Sequence, residues 1–170
     1  MSTALPHLAR IDEAPRIHGL PWASREESGL KDTFNDASHM KWVRERCAAD
    51  EVWVVDREEA IASVMMLRPE DRYVRYVATD KQSRRGGLAR APVQHVRSLY
   101  TGLWAKAMLS NANAISLRKR EGFGCSEHLD TEKYIAFEWG AGRRIPTIGP
   151  DWRIWPNQGR PGAQNPNERK

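Results

Sequence analysis

The chain has 170 residues, of which 40% are hydrophobic and 29% charged, the balance of a globular protein with one domain and extensions. Its longest apolar run, Ile61–Leu67, is too short to cross a bilayer, and the first residues lack the basic and apolar stretches of a secretory signal. Cys47 and Cys125 lie in no CxxC or Cys/His cluster, which argues against a zinc site and predicts two reduced thiols in a cytoplasmic protein.

The net charge is +5, and residues 141–170 hold six bases against two acids. Nearly all the excess therefore sits in the last thirty residues. A basic tail suits an acidic partner, protein or nucleic acid, or simply solubility.

Residues 1–37 are polar and broken by Pro6, Pro15, Gly19, Pro21 and Gly29, which predicts loop with one or two short helices. Ser38 can cap a helix to about Ala49, with Met40, Val43 and Cys47 on its apolar face. Val52–Val55, Ile61–Leu67 and Tyr73–Ala78 read as an antiparallel meander, turning at 56–59 and 69–71. A basic loop, 81–87, leads into a helix ending near Leu99 with Val93 and Val96 inward. Leu103–Leu109 is a strand. Asn111–Arg120 is a helix closed by Gly122. Phe123 to about His128 and Lys133–Trp139 complete a mixed, mostly antiparallel sheet flanked by helices, an α/β (α+β) domain over 38–140.

The loop Arg84-Arg85-Gly86-Gly87-Leu88-Ala89 carries chemistry of its own. Small residues let backbone approach a ligand, and unpaired amides opening the next helix favour an anion. Two arginines add charge. A pyrophosphate is a natural guest, and a plain strand-to-helix turn is the alternative.

The element order and two segments together resemble the GNAT superfamily of acetyl-coenzyme A–dependent N-acetyltransferases. Arg84, Gly87 and Ala89 match its Q/R-x-x-G-x-G/A loop. Asn111, Ala114, Leu117, Gly122 and Phe123 match its N-x-x-A-x-x-L-Y-x-x-x-G-F segment. The resemblance implies acetyl-coenzyme A as donor and an amine as acceptor. Pantetheine would pair with strand 73–78, and an N–H there, that of Val77 or Ala78, would polarise the thioester. The strand ending at Asn111 would splay away to open the slot. The acceptor would meet residues 1–50.

The match departs in three places. Arg118 stands where the superfamily has a tyrosine that protonates the thiolate. Arginine is a poor proton donor, though its charge could steady a thiolate, and an exposed helix arginine is the simpler reading. Pro92 threatens to delay the helix after the loop. The stretch from Val77 to Arg84 is about two residues longer than the commonest family pattern. Strand 73–78 offers no carboxylate as base. Asp80, Glu27, His39, Ser116 and His95 are candidates by chemical type alone.

Residues 141–170 hold five of the ten prolines and four of the twelve glycines. Such a segment cannot bury enough of itself to stay fixed, so Trp152, Ile154 and Trp155 read as anchors in a partner. Small GNAT-like proteins of this plan occur among tailed-bacteriophage products. That resemblance implies a second reading, a structural or adaptor component of a virion.

Overall fold

The computed structural model describes residues 5–140 apart from 29, 85 and 126–132. The tail with Trp152, Ile154 and Trp155 lies outside them, as do Arg85 and the strand expected beyond Cys125. Seven strands form one sheet: β1 His7–Leu8, β2 Val52–Arg57, β3 Ala60–Arg68, β4 Tyr73–Thr79, β5 Leu103–Met108, β6 Gly124–Cys125 and β7 Tyr134–Trp139. Their spatial order is β1-β2-β3-β4-β5-β7-β6, and only the β4–β5 pair is parallel. The helices are α1 Ala14–Ala23, α2 Arg25–Ser28, α3 Asp36–Ala48, α4 Arg90–Leu99 and α5 Ala112–Arg120. None of the described helices is long and apolar enough to cross a membrane.

The N-terminal segment is more regular than its composition suggests. Pro15 sits in the first turn of α1, where its missing N–H has no helical partner to lose. β1 adds to the free edge of β2. The cap of α3 is Asn35 rather than Ser38. The Asn35 carboxamide accepts from Ser38 N at 2.9 Å and the Ser38 hydroxyl accepts from Asn35 N at 3.0 Å. Ser38 is the third helical residue, reciprocating the cap.

The sheet is covered on both faces. Val52, Val54, Val64, Met66, Tyr76 and Ala78 pack with Ile17 of α1 and with Val43 and Cys47 of α3. Met65, Leu67, Val74, Leu103, Ala105, Ala107 and Phe137 pack with Val93 and Val96 of α4. β3 feeds both layers, so every residue from Ile61 to Leu67 is buried. That explains the apolar run there, broken only by Ser63, whose hydroxyl donates to Ala78 O.

β4 changes face midway. Tyr76 pairs with Met66 and Val74 with Leu67, so Arg75 has no residue opposite it. This β-bulge places Val74 in one core and Tyr76 in the other.

Candidate functional site: a fork between two parallel strands

β4 and β5 pair only at Tyr73–Trp104 and Val74–Ala105. The bulge at Arg75 begins where pairing stops. Bulges bend a strand and raise its twist, which is a local cause for the strands to part. The root of the fork is pinned. Trp104 N donates to Arg72 O at 3.1 Å, its indole Nε1 donates to Asp71 O at 3.0 Å, and the rings of Tyr73 and Trp104 are 4.3 Å apart.

Past the root, the β5-facing side of residues 75–79 has no strand paired to it among the described residues. Asp80 N donates to Ala62 O at 2.9 Å, which fixes the phase of the β3–β4 ladder. Counting back in twos, Ala78 turns its backbone groups to β3, and Val77 turns its N–H and C=O into the fork. Of the two amides expected from sequence, the fork therefore receives that of Val77.

The fork leads into the loop. Asp80 caps a turn of 3-10 helix over Lys81–Ser83, accepting from Gln82 N at 3.0 Å and Ser83 N at 3.2 Å. Its carboxylate is engaged there. Gly86, Gly87, Leu88 and Ala89 form the turn into α4. Gly87 has φ +77° and nothing within 4 Å of where a Cβ would stand. A left-handed backbone with open space above it suits close approach of a ligand. Arg84 is exposed, its Nε donating to Thr79 O at 3.4 Å.

Pro92 does not delay α4. The helix starts at Arg90, so Pro92 is its third residue. The first four amides of a helix have no internal acceptor, and a proline here loses no bond.

Asn111 lies just past the end of β5 and caps α5, its carboxamide accepting from Ala114 N at 3.0 Å. Gly122 follows the helix with φ +77°, in the C′ position expected for it. Arg118 is the correction at this end of the site. It is 4% exposed rather than solvated. It lies on the same face of α5 as Ala114 and Ile115, which pack into the core, and its guanidinium sits 5.6 Å from the Phe123 ring centroid. Its Nε and Nη1 are buried without a hydrogen-bond partner among the described residues. Burial lowers its pKa to about 10, against the opposing pull of Tyr73, so it stays cationic at neutral pH. Tyr73 is pushed up to about 12 by burial, with Arg75 and Arg118 opposing, so its phenol keeps its proton.

Tyr73, Trp104 and Lys106 lie at the fork and are candidate site residues that sequence reasoning did not single out. Lys106 is the first β5 residue beyond the last pair with β4 and is half-buried, and burial lowers its ammonium to about 8. Only the position of the fork marks these three, and no local pattern does.

The remaining candidates are dispersed. Ser116 is exposed on α5. His95 packs on Trp53 with ring centroids 4.6 Å apart. Glu27 falls in α2. His39 is fully buried, its Nδ1 2.7 Å from Nδ1 of His18, whose Nε2 is 3.0 Å from Asp36 Oδ1. Away from the fork, on the β1–β2 edge, His7, Glu13 and Asp56 offer three ligand atoms within 4.8 Å of one another. Arg16 also reaches Asp56, at 4.0 Å, so this group reads as an ion-pair cluster.

No family model matches the sequence, and no curated protein matches it. Solved structures do match the fold. A GNAT-family acetyltransferase from Bacillus cereus superposes with TM-score 0.63 at 16% identity, covering 84% of this chain and 100% of its own. A Salmonella typhimurium acetyltransferase that modifies the N-terminal serine of ribosomal protein L7/L12 gives 0.64 at 13% identity, over 84% and 97%. A PaiA N-acetyltransferase from Thermoplasma acidophilum, in complex with coenzyme A, gives 0.58 at 7% identity, over 82% and 99%. The chain has the GNAT acetyltransferase fold.

Proposed function

We propose that the protein binds acetyl-coenzyme A in the β4–β5 fork and transfers the acetyl group to an amine. The observation that carries this reading is the pairing that stops after Val74–Ala105, leaving the Val77 edge without a strand among the described residues and leading to the Gly87 turn. An extended pantetheine arm can take the vacant strand position, and the pyrophosphate can rest at the opening of α4. The Val77 N–H then polarises the thioester carbonyl as the amine nitrogen attacks it. The N–C bond forms, the C–S bond breaks, and one amine proton ends on the coenzyme A sulfur. The likeness of fold to the coenzyme A complex supports the same reading.

Acetyl-coenzyme A at about 100 times its Kd stabilises by about 2.7 kcal/mol, a rise in Tm of roughly 5–10 °C for a chain of this size. No shift at millimolar ligand refutes the reading. Val77→Pro removes the fork-facing N–H without touching the β3 ladder and should weaken acetyl-coenzyme A binding about tenfold, with little change in unliganded Tm. Ala78→Pro breaks a β3–β4 bond and should instead lower the Tm. Equal binding by Val77→Pro and the parent chain would remove the amide from the site.

A further inference from the structure

Near the root of the fork a buried cation lacks an anion among the described residues. Three arginines contribute to the electrostatic surroundings of Tyr73: Arg75, Arg118 and Arg68. Arg68 is paired to Asp71, and Arg75 lies 3.5 Å from Glu51. Among the described residues Arg118 has no carboxylate within ion-pair distance. The acid nearest to it in sequence, Glu121, is taken by Arg90 at 3.1 Å and Arg97 at 3.7 Å. Removing a guanidinium from water costs several kcal/mol unless an anion or a set of hydrogen-bond acceptors replaces the lost hydration. The Phe123 ring returns only part of that. Among the described residues Arg118 is thus a buried cation in want of a negative group, which a ligand can bring.

The position of Arg118 separates two candidates for that negative group. The pyrophosphate belongs at the far end of β4, where the Gly87 turn opens α4. Arg118 is close enough to Tyr73 to bear electrostatically on its phenol, and Tyr73 is at the opposite end of β4, in the pair at the root of the fork, the end that the acyl group of the donor would approach. An acetyl group is neutral and leaves the guanidinium bare in the bound complex.

Resting on the acetyl-coenzyme A reading above, we propose that the preferred donor is an acyl-coenzyme A whose acyl chain ends in a carboxylate, and that Arg118 binds that carboxylate. The reaction is unchanged in its balance: the amine forms the new N–C bond, the C–S bond breaks, one amine proton goes to sulfur, and the distal carboxylate stays ionised throughout. Arginine suits this task where tyrosine does not, since it offers a fixed fork of donors that stays charged. The departure from the family segment at this position is then a change of donor specificity.

The test measures Kd for coenzyme A, acetyl-coenzyme A and succinyl-coenzyme A by calorimetry on the full chain. Succinyl-coenzyme A should bind about tenfold tighter than acetyl-coenzyme A. Arg118→Met should bring the two donors within about twofold of each other while coenzyme A binds as before. Arg118→Lys, which keeps the charge and loses the paired donors, should keep part of the preference and serves if the Met variant fails to fold. Equal affinity for the two donors in the parent chain overturns the inference and leaves coenzyme A binding standing. A succinyl preference that survives both substitutions also overturns it. Failure of coenzyme A itself to bind removes the underlying reading and this one together.

Discussion

His39 stacks on Trp22, meets the Phe34 ring edge-on, lies beside Trp42 and is fully buried. The Asp36 carboxylate accepts from His18 Nε2, so His18 Nδ1 accepts from His39 Nδ1–H, by assignment from the hydrogen-bond network. His39 Nε2 is then a lone pair with no donor. Burial first, and His18 second, lower its pKa from 6.5 to about 4, with Asp36 opposing. Between those values the unfolded chain takes up a proton that the folded chain refuses. Stability is therefore complete above about pH 6.5 and falls toward pH 4, by roughly 3 kcal/mol in all. Urea midpoints across that range should show the slope, and His39→Gln should flatten most of it. An unaltered slope in the variant would assign the effect to other groups. Arg118 teaches a related lesson. Its sequence neighbours Lys119 and Arg120 are exposed, and charge alone places all three in solvent. Only the facing sheet decides that one of them is inside.

At the scale of elements, local chemistry set much of what formed. Short apolar runs bounded by polar turns found β2, β3 and β4, and Asn111 and Gly122 marked both ends of α5, because such signals need no distant partner. The β2–β3 connection is tighter than the expected turn over 56–59. Arg57 pairs with Ala60, leaving only Glu58 and Glu59, at φ +50° and +63°. Two-residue turns of this hand favour glycine, and an L side chain there costs about 1 kcal/mol. Glu59→Gly should accordingly raise stability by about 1 kcal/mol in urea unfolding. A lowered midpoint would mean that the glutamate makes a compensating contact. The bulge at Arg75 had no such local mark. Whether a residue lacks an opposite number depends on the register of β3, which strand 73–79 cannot state by itself.

For the molecule as a whole, two cores share one sheet, and β7 joins β5 to β6 through the larger pairing of the second half. Phe137 is fully buried in β7 against that core. Phe137→Ala should cost about 3–5 kcal/mol and unfold both layers in one transition, since the sheet is continuous. Separate transitions by tryptophan fluorescence and far-UV dichroism would show the layers to be independent. By itself the sequence determined the order of elements from α3 to β7, the glycine turn before α4 and the caps of α5, each the work of residues within a few positions of one another. The tertiary structure alone decided three things: that β4 and β5 part after two pairs, that Val77 rather than Ala78 faces the opening, and that Arg118 is buried with no counter-ion among the described residues. Each of these depends on which strand lies beside which, and that is set by contacts between residues tens of positions apart.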